Sequence, residues 1–101
     1  DLGLIEPKAY GQKECFEAGI KFANAEGIIP APEATHAVKG AIDVALECKK
    51  NGQTKTILFN LCGHGHFDMK AYADYFSNSL SEDNYNEAEV NKALEKLPKI
   101  A

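Results

Sequence analysis

Arginine is absent from this chain of 101 residues. Without a guanidinium group, planar two-point capture of a phosphate or carboxylate is not available within it. The eleven basic residues are all lysines, spread from Lys8 to Lys99 as solvated helix faces would be. Net charge is −4 and the isoelectric point about 5.3. A nucleic-acid backbone demands clustered cations, so nucleic acid is excluded as the main partner. No apolar run approaches the roughly 18 residues of a membrane span, and no signal peptide is visible, so no membrane role is expected. Cysteine is scarce and odd in number. Cys15, Cys48 and Cys62 show no disulfide-like spacing, which points to a reducing, cytoplasmic setting. A glycine-rich phosphate loop, a Ser-His-Asp arrangement and a serine nucleophile elbow are also missing.

The length suits one small domain or a piece of a larger one. With 45% hydrophobic and 26% charged residues, the composition is that of a soluble globular protein. The chain opens on Asp1 and not on Met, so a processed, excised or partial chain is expected. Residues 1–101 read as one segment.

Residues 1–11 read as a loop punctuated by Pro7 and Gly11. Cys15, Phe16, Gly19, Ile20 and Ala23 recur at helical spacing, predicting a helix over 12–25 that ends at Gly27. "IIPAP" is extended, because each proline fixes its own φ and pushes its predecessor out of the helical region. A second helix starts near Pro32, with Glu33 at the positive end of its dipole. Its face of Ala37, Val38, Ala41, Ile42, Ala45 and Leu46 is small enough to pack closely on a sheet, and Lys49, Lys50 and Gly52 close it. "KTILFNL", residues 55–61, reads as a strand buried on both faces, since Ile57, Leu58, Phe59 and Leu61 barely alternate with polar residues. Further helices are predicted over 68–77, carrying Met69, Tyr72, Ala73 and Phe76, and over 86–97, with Val90, Ala93, Leu94 and Leu97 on one face. The expected class is α/β, mostly helical with one buried strand. A lone central-type strand needs neighbours to satisfy its backbone groups. The chain is therefore expected to be part of a larger α/β body or to pair with another chain.

"CGHGHFD" admits three readings. Cys62, His64 and His66 alternate, so in an extended segment they point to one side, and thiolate and imidazole are good zinc ligands. A structural zinc site normally shows a second ligand cluster, and none is present, so no bound metal is expected. The two histidines can equally be surface or interface residues. A third reading is positional: a buried strand ending in glycines before a helix sits where α/β sheets bind ligands, and Gly63 and Gly65 would let backbone approach a flat ligand. Glu33 has its own plain reading as an acid that only complements the helix dipole. Thr35 and His36 suit packing or capping. Cys15 and Cys48 suit small buried positions, and Tyr72, Tyr75 and Phe76 suit core cover.

"EGIIPAPEATHAVKGAIDVAL" followed by "ILFNLCGHGHFD" resembles the C-terminal part of the tryptophan synthase beta chain, in its beta chain 2 branch, where "EGI-PAPE--HA" and "NLSGHGHFD" are typical. The opening "DLGLIEPKAY" and closing "ALEKLP" look like that branch too, so the resemblance covers nearly the whole chain. It implies a C-terminal portion of a fold-type II enzyme dependent on pyridoxal 5′-phosphate (PLP). The lysine that forms the Schiff base and the phosphate-holding loop lie far upstream in that family. Neither motif is found here, and this chain's own lysines are not candidates. The chain alone is expected to be inactive.

Residue by residue, the resemblance implies that Glu33 lies beside the cofactor near its phenolic oxygen and C4′, as a catalytic acid/base or electrostatic group. It implies that Cys62 stands where a serine bonds the pyridine nitrogen, with Gly63 alongside the ring. The two stretches would then be two walls of one PLP pocket. A thiol is a weaker donor than a hydroxyl, so Cys62 should keep the reaction class with a weaker anchor. Ala34 and Thr35 replace common serines of the motif. The implied reaction joins L-serine and indole into L-tryptophan and water. The implied partners are the rest of the beta chain and a second copy in a homodimer; coupling to an alpha subunit is left open. Phosphoserine or threonine in place of serine is left open. The rival reading is a free-standing, non-catalytic α/β or interaction module, and a weaker third is a small metal protein.

Overall fold

A computed structural model describes residues 2–80 and 87–96 of the chain. They form four helices in the order α1 (Gln12–Glu26), α2 (Pro32–Asn51), α3 (Met69–Phe76) and α4 (Glu87–Leu94). The helices lie where the periodicity puts them, within a residue or so for the first three. The expected fourth helix began at Asn86 and carried Leu97; both lie outside the described residues. None of the described helices is long and apolar enough to cross a membrane.

Local chemistry sets the helix ends. At the start of α1 the Glu14 carboxylate accepts the Gly11 N–H at 2.8 Å, one arm of a capping box. Gly27 and Gly52 end α1 and α2 at φ +73° and +64°, the left-handed conformation that glycine adopts without a Cβ penalty. Gly27 donates its N–H to the Ala23 carbonyl at 2.9 Å. The ion pairs Glu17–Lys21, Lys39–Asp43 and Lys70–Asp74 are spaced i,i+4 on helix surfaces, so these three lysines decorate helix faces, whereas Lys8 and Lys55 lie outside the helices.

The core is small. Cys15, Phe16 and Ala18 of α1 pack with Ala34, Thr35 and Val38 of α2 and Tyr72 of α3. Phe16 meets the Tyr72 ring edge-on at 5.0 Å and stacks on Tyr75 at 5.7 Å. Cys15 and Cys48 are buried, as expected of small apolar residues. The small-residue face of α2 has α1 as its partner and not a sheet. That contact uses the first half of the face, leaving Ala45 and Leu46 exposed.

The expected buried strand is not found. Residues 55–61 run without strand pairing among the described residues. Exposure alternates along them: Ile57, Phe59 and Leu61 are half-buried, while Leu58 is 96% exposed and Asn60 exposed. One face is covered by α1, where Phe22 meets Phe59 edge-on at 5.7 Å. A strand needs a neighbour to complete its backbone hydrogen bonds, and the described residues supply none. The apolar run was therefore read correctly as apolar and wrongly as buried on both sides. Among the described residues the β-type contact found is an isolated antiparallel bridge between Pro30 and His64. The radius of gyration is 17.0 Å, against about 13 Å for a compact domain of this size.

α1 and α2 approach closely at Gly19. A Cβ there would lie 2.6 Å from Thr35 Cγ2 and 3.3 Å from both Pro30 and the Tyr72 hydroxyl. Gly19→Ala should thus destabilise the fold by about 1–2 kcal/mol net, overpacking outweighing the helix-propensity gain. Gly40→Ala, inside α2 and with its Cβ no nearer than 3.8 Å to Tyr10, should be neutral or mildly stabilising. Urea titrations of the two variants check this; equal midpoints would contradict the close approach.

Candidate functional site

The two stretches singled out in the sequence meet through backbone. The Ala31 N–H donates to the Gly63 carbonyl at 2.9 Å, and the Gly65 N–H donates to the Ile29 carbonyl at 2.8 Å. These two bonds flank the Pro30–His64 bridge. Proline has no N–H to give, so position 30 contributes only its carbonyl. That carbonyl accepts the Tyr72 hydroxyl at 2.5 Å in a buried bond.

Glu33 follows directly. Ala31 is extended at φ −60°, ψ 151°, and Pro32 begins α2. Glu33 is exposed in the first turn, at the positive end of the α2 dipole. Thr35, 1% exposed, donates its hydroxyl to the Pro32 carbonyl at 2.5 Å. It is therefore a packing and turn-closing residue, and His36 beside it is exposed. Glu33 lines a cavity of about 200 Å³ with Gln12, Cys15, Phe16, Thr35 and His36. Cys62 does not line that cavity.

Cys62 is the exposed cysteine, two residues before the bridge residue His64. Gly63 is half-buried, and a Cβ on it would stand 3.3 Å from the Ala31 Cβ. Gly65 is buried, and a Cβ there would meet the Pro30 carbonyl oxygen at 2.5 Å, Ile29 at 2.9 Å and Tyr72 at 3.1 Å. Within this chain, then, the glycines serve the approach of two backbone segments. Cys62, His64 and His66 are all exposed, as their alternation predicts. The His64 and His66 rings lie 4.7 Å apart, and His64 Nδ1 accepts the His66 N–H at 3.3 Å. Among the described residues, no three His, Cys, Asp or Glu side chains converge as metal ligands would.

Burial is the main cause that pushes two pKa values up. The Cys15 thiol is raised chiefly by desolvation, with Glu14 adding and Lys39 opposing. The Tyr72 phenol is raised by desolvation and then by Asp68. Tyr72 therefore stays a neutral donor to Pro30 well into the alkaline range. Sequence patterning marked Tyr72 only as core cover. Its bond spans residues 30 and 72, and no local spacing announces such a contact.

Two polar side chains near the junction are left without partners among the described residues. The Glu33 carboxylate and Cys62 thiol have no hydrogen bond or ion pair among the described residues, so both remain available. They stand on segments locked together by the Ala31–Gly63 bond, with a slim glycine edge between.

No protein-family model matches the chain. Individual relatives do, and they are beta chains of tryptophan synthase. Some of them carry the name beta chain 2. The Methanosarcina mazei tryptophan synthase beta chain 2 is 60% identical over 78 residues, 77% of this chain and 18% of that protein. The Aquifex aeolicus beta chain 2 is 55% identical over 82 residues, 81% of this chain and 19% of its own length. A tryptophan synthase beta chain of Pyrococcus horikoshii is 54% identical over 80 residues, 79% and 17% of the two chains. The chain is similar to a C-terminal portion of these proteins and spans under a fifth of the length of the relatives it matches.

Exposure ranks the three thiols. With Ellman's reagent at pH 7, Cys62 should react fast in the folded chain, while Cys15 and Cys48 wait for denaturant. Fast reaction of all three without denaturant would contradict the burial described.

Proposed function

We propose that this chain supplies one flank of the PLP pocket in a tryptophan synthase beta-type enzyme of fold type II, a cytoplasmic lyase. That enzyme replaces the hydroxyl of L-serine by indole, giving L-tryptophan and water. The observation that carries the reading is the Ala31–Gly63 hydrogen bond, which sets the helix start bearing Glu33 beside the turn bearing Cys62. The named relatives support the same reading, and the remaining parts of the pocket belong to the rest of the beta chain. On this reading the assembly is a homodimer, and coupling to an alpha subunit is left open. The segment by itself is inactive on this reading.

When bound, PLP supplies the electron sink for the chemistry at the amino-acid β-carbon, and protein groups orient and tune it. Glu33 would hold or move a proton beside the reacting carbon. Cys62 would orient the ring through a thiol hydrogen bond to its nitrogen. A thiol is too weak an acid to keep that nitrogen protonated. This restrains the sink and favours replacement at the β-carbon over transamination.

The test is a chimera in which this segment replaces the matching stretch of the Methanosarcina mazei beta chain 2. Glu33→Ala should cut tryptophan formation by about 10²–10⁴-fold, the typical loss for an acid/base group. Cys62→Ser should be neutral or mildly favourable, since it restores the stronger donor. Cys62→Asp places a carboxylate at the ring nitrogen, favours the charged ring and should raise the share of transamination products. Full activity in Glu33→Ala, or an unchanged product ratio in Cys62→Asp, would remove that residue from the pocket.

A further inference from the structure

The walls carrying Glu33 and Cys62 are joined by two backbone hydrogen bonds, and a third polar contact reaches the junction from outside both segments. Tyr72 stands 5% exposed on α3 and donates to the Pro30 carbonyl between those two bonds. Its ring is fixed independently of that bond. Phe16 of α1 packs edge-on against it at 5.0 Å, and the glycine edge at residue 65 lies against its Cε2. Gly19 leaves room for the hydroxyl, since a Cβ there would come within 3.3 Å of it. The hydroxyl is therefore aimed, and its target is the Pro30 carbonyl beside the bridge.

We infer that Tyr72 is a positioning residue for the β-replacement reaction: its hydroxyl fixes the Pro30–His64 junction and so sets Glu33 against Cys62. This rests on the pocket reading given above. Tyr72 is buried beneath the junction and takes no direct part in the proposed pocket. It acts on Glu33 through Pro30, Ala31 and the first turn of α2, and on Cys62 through Gly65, His64 and Gly63. A buried carbonyl stripped of its partner has no water to turn to, and the two segments shift to relieve it. Shifts of about 1 Å at positioning groups can cost on the order of 10²-fold in rate.

The test compares the chimera with its Tyr72→Phe and Glu33→Ala variants. Tyr72→Phe keeps the ring and its packing and removes only the hydroxyl. Hydrogen exchange should show the amides of Ala31 and Gly65 losing about tenfold in protection, with those in the middle of α1 unchanged. Per bound cofactor, kcat should fall roughly 10- to 100-fold, with KM for L-serine within about twofold. The absorption band of bound PLP should also shift. Unchanged protection at Ala31 and Gly65, or a kcat within twofold of the unsubstituted chimera, overturns the positioning role. So does a variant that merely yields less folded enzyme at full kcat. The pocket reading fails separately: an unsubstituted chimera that binds no PLP, or a Glu33→Ala variant with full activity, would sink it and this inference together. A normal chimera, an impaired Glu33→Ala and an unaffected Tyr72→Phe would sink the inference alone.

Discussion

The Pro30 carbonyl is the constraint on which the described structure turns. It lies between the hydrogen bonds Ala31–Gly63 and Gly65–Ile29 and accepts the Tyr72 hydroxyl. Three separate pieces of sequence meet there: the extended link between α1 and α2, the glycine-rich turn and α3. The small residues around it follow from that crowding. Gly19 admits Thr35 and the Tyr72 hydroxyl, and Gly65 admits the Pro30 carbonyl itself. Thr35 closes the first turn of α2 by bonding the Pro32 carbonyl. The acid at 33 and the thiol at 62 thus face outward from a junction whose own polar groups are already satisfied.

Away from the junction the chain is loosely covered. Leu58 and Phe67 are almost fully exposed, and Leu2, Leu4 and Ile5 nearly so. α4 buries none of its residues. Single exposed apolar residues are common, but an apolar extended segment without a neighbour is an unfinished sheet element. The relatives of this chain are more than five times the length of the matched region, and the pocket reading assigns the missing cover to that remainder.

The helices were legible because their signals are local. Apolar spacing gave α1, Pro32 and Glu33 marked the start of α2, and Gly27 and Gly52 marked ends where φ is positive. Val38 and Tyr72 were placed in the core correctly. The strand over 55–61 was not legible as it stands here, because pairing depends on chain that lies beyond local sequence. Leu46 was misplaced for a related reason: periodicity names a face but not how far along it the partner helix reaches. At the site, "PAPEATHA" and "CGHGHFD" could be flagged as motifs. Their contact through Ala31 and Gly63, and the service of Gly65 to Pro30 in place of a ligand, are long-range facts that no spacing encodes. The likeness to tryptophan synthase beta chains was carried by the motifs and agrees with the relatives found.

A crystal structure of the chimera with PLP bound tests the central claim most directly. The account predicts the Cys62 thiol within hydrogen-bonding distance of the ring nitrogen, Gly63 against the ring edge and the Glu33 carboxylate beside the reactive carbon. The Ala31–Gly63 and Tyr72–Pro30 hydrogen bonds should be retained beneath them. Bound cofactor with neither Glu33 nor Cys62 in contact with it would contradict the account.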